Sequence, residues 1–196
     1  MIFLAIDPSL TATGVILADG EGRVLRSACF RTEPASKGLK LAVGVDDADR
    51  MGRVLREIEQ LVADNAPDHI VAELPSGMFH GGQKCPACKR AAFSPRGLET
   101  TGMSKLLVVA LCWKYRVRPM WVRPMDVKRA LTGDKSASKE AVVAAAQKRG
   151  VALEGPKPVR EAVADSFGVL VASGIWTQST ESTNHGSRST ERVGER

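Results

Sequence analysis

Ile2-Phe-Leu-Ala-Ile-Asp-Pro-Ser-Leu-Thr-Ala-Thr-Gly-Val-Ile-Leu-Ala18 is the stretch that decides the fold. A short apolar run ends abruptly on Asp7, Pro8-Ser9 turns the chain, and Thr13 to Ala18 resumes as a second strand. Asp19-Gly20-Glu21-Gly22 is a hairpin signal, and Val24 to Phe30 reads as a third strand. The first thirty residues therefore predict three antiparallel strands. The same N-terminus has no basic leader region, meets an acid at position 7, and reads as a strand and not as a signal peptide. No apolar run approaches the roughly 18 residues that a membrane span requires. Together these features predict a cytosolic protein with no membrane partner.

Further along, Met51, Val54, Leu55, Ile58, Leu61 and Val62 recur at helical spacing, behind Asp46, Asp47 and Asp49. This predicts a helix over 46–65. His69 to Leu74 reads as a buried strand, 101–115 as a helix, and Pro119 to Val122 as a strand. Residues 124–131, 138–149 and 159–175 read as three more helices. The order implies an α/β domain built on a mixed five-stranded sheet flanked by helices, over residues 1–176. Residues 76–98 form a basic, Cys-containing insertion. Residues 177–196 are Ser, Thr, Gly and charge, and read as a disordered tail.

The chain has 196 residues and a net charge of +6. The distribution of that charge is more informative than its sum. Residues 1–83 carry −4, residues 84–160 carry +12 from 17 basic and 5 acidic side chains, and the remainder carries −2. A basic block inside an otherwise acidic chain suits a polyanion, nucleic acid first, with a solvated basic surface as the plain alternative.

Three acids stand where burial would penalise them. Asp7 ends the first strand, Glu73 lies within Ile70-Val-Ala-Glu-Leu74, and Asp165 lies in an apolar helix. Such groups need a partner or a cation. Glu161 precedes Asp165 by one helical turn and shares its face. If the first and fourth strands are neighbours, these acids can hold two divalent ions about 3.5–4 Å apart, the arrangement used in phosphodiester hydrolysis. Hard oxygen donors favour Mg²⁺ or Mn²⁺.

The motifs Ala5-Ile-Asp-Pro-Ser-Leu-Thr-Ala-Thr-Gly14, Ile70-Val-Ala-Glu73, Val127-Lys-Arg-Ala-Leu-Thr-Gly133, Ala137-Ser-Lys-Glu-Ala-Val142 and Glu161-Ala-Val-Ala-Asp-Ser-Phe167 occur in one order. In this the chain resembles the RuvC family of Holliday-junction resolvases, within the ribonuclease H-like superfamily. The resemblance implies a homodimeric, Mg²⁺- or Mn²⁺-dependent endonuclease that nicks a DNA four-way junction in pairs during recombination or repair. It assigns Asp7, Glu73 and Asp165 to metal binding and catalysis, and Lys128 and Lys139 to DNA phosphate. The family's usual fourth acid would fall at Ala162, and Glu161 is the expected replacement. An aromatic usual three residues after the strand-four Glu is here Ser76, so Met78 or Phe79 is the expected wedge between bases.

His80, Cys85 and Cys88 fall one short of four zinc ligands, so structural zinc is not the expectation. Lys84, Lys89, Arg90 and Arg96 instead suit the DNA backbone. Cys29 and Cys112 sit in apolar segments and read as small buried residues. Other readings are a broader fork, flap or RNA nuclease of this fold, or a non-catalytic DNA-binding relative, which would be expected to lose one acid. The Asp7-to-Gly14 segment also resembles the first phosphate loop of actin-like ATPases, but the second nucleotide-binding domain those need has no room here.

Overall fold

The structure is a computed structural model, and it describes residues 1–35, 43–74 and 95–174. The elements are β1 (Ile2–Asp7), β2 (Ala12–Asp19), β3 (Val24–Arg31), α1 (Val43–Leu61), β4 (His69–Glu73), α2 (Pro95–Tyr115), β5 (Pro119–Val122), α3 (Pro124–Thr132), α4 (Lys139–Lys148) and α5 (Lys157–Ala172). The five strands form one sheet in the order β3-β2-β1-β4-β5. The three N-terminal strands pair antiparallel. The β1–β4 and β4–β5 pairs are parallel. The expected mixed sheet and its adjacent first and fourth strands are therefore present.

Strand alternation divides the core in two. Leu4, Ile6, Val15, Leu17, Ile70 and Ala72 face one way, against Met51, Val54, Ile58, Leu107, Val108 and Leu111 of α1 and α2. Phe3, Ala5, Ile16, Ala18 and Val71 face the other way, against Val127, Leu131, Val142, Val163, Phe167 and Leu170 of α3 to α5. Because side chains alternate along a strand, Asp7 continues the Phe3-Ala5 face and Glu73 continues the Val71 face. Both acids are thereby directed toward α5. Cys112 is buried as expected, whereas Cys29 on the edge-strand side is only half-buried.

Helix ends differ from the sequence expectation for local reasons. The first helix stops at Leu61, because residues 62–65 tighten into a turn (Ala63 N–H to Gln60, Asn65 N–H to Val62) ahead of Pro67. The second begins at Pro95, six residues earlier than its periodicity suggested and inside the expected insertion. Proline's fixed φ and absent N–H suit a first helical position. The last helix ends at Ala172, followed by Gly174 at φ 73°. The remainder of the expected insertion, with Phe79, His80, Lys84, Cys85, Cys88, Lys89 and Arg90, lies outside the described residues. So does the expected tail, and the side chain of Arg96.

Two glycines set how closely α5 lies on its neighbours. A Cβ at Gly14 would collide with the backbone carbonyl of Ala162. A Cβ at Gly168 would stand 2.6 Å from Val127 Cγ1 and 2.8 Å from Leu131 Cδ1 of α3. The first obstacle is backbone and cannot yield by a side-chain rotation. Gly14→Ala is therefore expected to push α5 off β2 and to destabilise the fold by about 2–4 kcal/mol. Denaturant unfolding checks this. Stability within about 0.5 kcal/mol of wild type would show that the close approach is not required.

Candidate active site

The Asp7-to-Gly14 turn is fixed from within and from behind. Thr13 is fully buried, and its Oγ1 donates to the Ser9 carbonyl at 2.6 Å. From the α1 side, buried Arg50 donates from Nη2 to the Leu10 carbonyl at 3.2 Å and from Nε to Thr32 Oγ1 at 3.0 Å. Thr32 Oγ1 in turn donates to the Leu10 carbonyl. The turn that begins at Asp7 thus cannot drift relative to the sheet. The sequence reading did not single out Arg50. Its signal was weak, since an arginine on a helix with acids one turn away usually marks a solvated face.

Parallel pairing of Ile6 with Ala72 places the next residues, Asp7 and Glu73, side by side at the ends of adjacent strands. Asp7 also pairs with Gly14, where the backbone of α5 comes closest. Glu161 and Asp165 then project from the α5 face toward the strand ends, both largely covered, with side chains 16% and 19% exposed. Ala162, at the family's usual fourth-acid position, is buried against β2, so the acid one step earlier reaches the cluster instead.

Lys139 stands at the N-terminus of α4, where Ser138 caps the helix by accepting from the Ala141 N–H. Its Nζ lies 3.6 Å from Glu161 Oε2 and 3.8 Å from Asp165 Oδ2. Lys157, which the sequence reading did not single out, holds Glu161 from the other side at 3.6 Å and Glu140 at 2.8 Å. The spacing Lys157-to-Glu161 is one helical turn and could have signalled that pair. Lys128, half-buried on α3, is close enough to act on both Glu73 and Asp165 electrostatically.

Concentrated negative charge in a half-buried setting shifts the acids upward. Burial, then the Asp165 charge, pushes Asp7 up to about 7 against the opposing pull of Lys139. Burial, then Asp7 and Asp165, pushes Glu73 up to about 8, opposed by Lys139 and Lys128. Asp165 is raised by burial and by Glu161, against the same two lysines. Desolvation would lower the Lys139 ammonium, but Asp165, Glu161 and Asp7 outweigh it and hold its pKa above the ordinary lysine value.

Buried carboxylates raised by one another make this cluster a candidate cation site. All the donors are hard carboxylate oxygens, and no described side chain other than Lys139 or Lys157 bonds to them. Among the described residues, no three acidic, His or Cys side chains stand close enough to form a ready-made metal cage. The ammonium of Lys139 stands beside two of the acids. The donor chemistry fits Mg²⁺ or Mn²⁺, and does not fit zinc.

Fold and site define a ribonuclease H-like α/β domain with a carboxylate centre at the C-terminal ends of β1 and β4. The curated relatives that the chain matches include crossover junction endodeoxyribonuclease RuvC from Pelodictyon phaeoclathratiforme, 29% identical over 177 residues. That match covers 87% of this chain and 78% of the relative. The RuvC of Chlorobium phaeovibrioides is 28% identical over 175 residues, covering 87% and 79%. Among solved structures, Thermus thermophilus RuvC in complex with a Holliday junction substrate superposes with a TM-score of 0.63 at 19% identity. That superposition covers 90% of this chain and 94% of that one, and it shows the shared fold. No family model matches the chain. The resemblance read from the motifs is borne out across the folded domain: over most of its length the chain is similar to curated RuvC proteins.

The raised carboxyls make folding pH-dependent. Asp7 and Glu73 bind protons more tightly folded than unfolded. Their contribution is therefore fully present below about pH 4 and is lost as pH rises through about 7 and 8. The lowered acids Asp19, Asp126, Asp134 and Glu140 act in the opposite sense, but below that window. The metal-free protein is expected to lose several degrees in Tm between pH 5 and pH 8.5. Glu73→Gln should flatten that slope. A Tm that is level or rises over this range would contradict the assignment of raised carboxyls.

Proposed function

We propose that the protein is a divalent-metal-dependent endonuclease that resolves four-way DNA junctions by paired nicks. The observation that supports this reading is that Asp7, Glu73 and Asp165, from three separate elements, lie near enough to act on one another's charge, with Lys128 and Lys139 acting against them. The basic block over residues 84–160, which carries Lys128 and Lys139, supports a polyanionic substrate. So do the names of the relatives, which cover most of the chain.

In this reading Asp7, Glu73 and Asp165 hold Mg²⁺ or Mn²⁺, with Glu161 as the fourth carboxylate. When bound, such ions lower the pKa of a water molecule and stabilise the departing oxygen of a phosphodiester. The chain supplies the rest. Asp7 and Glu73 are fixed by strand register, so the acids are pre-arranged before substrate arrives. Lys128 and Lys139 sit on the rim as point charges for the phosphate beside the scissile bond. Hydrolysis with loss of the 3′ oxygen would leave 5′-phosphate and 3′-hydroxyl ends.

Symmetric nicks across a junction require two such centres related by a two-fold axis. Helix α2 offers the surface for that pairing. Leu106, Val109 and Trp113 lie at helical spacing on its outer face and are 61%, 47% and 86% exposed. We infer that a second copy of the chain covers this stripe, since a solvent-facing apolar ridge of this kind marks an interaction site. Trp113→Asp is expected to halve the mass seen by light scattering and to convert paired nicks into single ones. An unchanged mass would remove α2 from the interface.

The direct test of function is cleavage with Mg²⁺ of an end-labelled mobile-core four-way junction, beside a fork, a flap and a linear duplex. Paired symmetric nicks confined to the junction are expected. Asp7→Asn should abolish cleavage while DNA binding is kept. Cleavage spread over forks and flaps would replace junction resolution with broader branched-DNA hydrolysis. Cleavage retained in Asp7→Asn would overturn the active-site assignment.

A further inference from the structure

Lys139 faces both the carboxylate cluster and solvent. Its ammonium is within ion-pair distance of both Glu161 and Asp165, and the charge of Asp7 also acts on it. Yet its side chain is 59% exposed, at the tip of a helix on the rim where a DNA phosphate would arrive. A single ammonium cannot neutralise the carboxylate cluster and a phosphate oxygen with equal strength. Lys157 differs in this respect. Its closest contact, at 2.8 Å, is to Glu140, which lies outside the cluster and is held by Lys157 at about pKa 2.

We propose that Lys139 is a tethered cation that occupies the carboxylate cluster in the metal-free protein and gives up that position when a divalent cation binds. The freed ammonium then serves the DNA backbone. Lys139 thereby couples the two binding events, so that each tightens the other. This inference rests on the reading of Asp7, Glu73 and Asp165 as a metal site. The reciprocity is a thermodynamic requirement, since a group that must leave one site to serve the other gives the same coupling factor in both directions. Lys157 stays beside Glu161 at 3.6 Å when Lys139 leaves, so that carboxylate keeps a cationic neighbour.

The contribution is modest, because a partly exposed ion pair is screened. Each of the two contacts is worth about a two- to fivefold factor at most. The prediction nevertheless has an unusual sign. A lysine that only contacts phosphate would leave metal affinity unchanged when removed. A lysine that competes with the metal would, when removed, raise that affinity.

The test is calorimetric titration of Mn²⁺ into the metal-free full-length protein, without DNA, for wild type, Lys139→Met and Lys139→Arg. Lys139→Met is expected to bind Mn²⁺ about two- to fivefold more tightly than wild type, and Lys139→Arg to return toward wild type. In the second arm, binding of a junction with non-hydrolysable linkages at its centre is followed by fluorescence anisotropy with and without Mn²⁺. Mn²⁺ should tighten junction binding by wild type more than by Lys139→Met. Equal or weaker Mn²⁺ binding by Lys139→Met would overturn the competition. Absence of Mn²⁺ binding in wild type and Lys139→Met alike would overturn the metal-site reading itself, and the inference with it. Because Lys139 is exposed, loss of folding is not expected, and the unfolding transition of each variant confirms it.

Discussion

The close seating of α5 on β2 is the constraint on which the rest of the structure depends. Gly14 presents no side chain, so the backbone at Ala162 lies directly on the strand. That contact fixes where one helical turn before and after it must fall. Glu161 and Asp165 are brought to the end of β1, next to Asp7, and Gly168 then lets α3 close over the same helix with Lys128 on its rim. Any larger residue at position 14 would hold the helix off the sheet and separate Glu161 and Asp165 from Asp7.

Bringing acids together costs free energy, and the structure shows how that cost is distributed. Two of the carboxyls are raised into or above the neutral range, and two lysines offset part of the repulsion. The neighbouring turn is held by buried Arg50 and Thr13, so the strain cannot relax by moving Asp7 away. Basic side chains and a carboxylate cluster are thus neighbours, and Lys139 lies on the boundary between them.

Much of this was legible in the sequence. Each of the three acids interrupts an apolar pattern, and strand parity makes Asp7 and Glu73 face the same layer once β1 and β4 are adjacent. That adjacency is a non-local pairing that no local pattern dictates, and it entered the reading only as a condition. The replacement of Ala162 by Glu161 was legible from helical geometry, because both acids fall on one face. The roles of Lys157 and Arg50 were not, since each depends on where a distant element comes to rest. The start of α2 was missed because its first turn is polar and carries no periodicity. Residues 76–94, with the Cys85 and Cys88 pair and Phe79, were readable only as composition.

The central claim is that Asp7, Glu73 and Asp165 jointly hold divalent cations. Anomalous diffraction from a crystal grown with Mn²⁺ tests it most directly. The account predicts anomalous density bounded by the carboxylates of these three residues, with the Lys139 ammonium displaced from Asp165. Density absent from that position, or centred on the Cys85 and Cys88 segment instead, would contradict it.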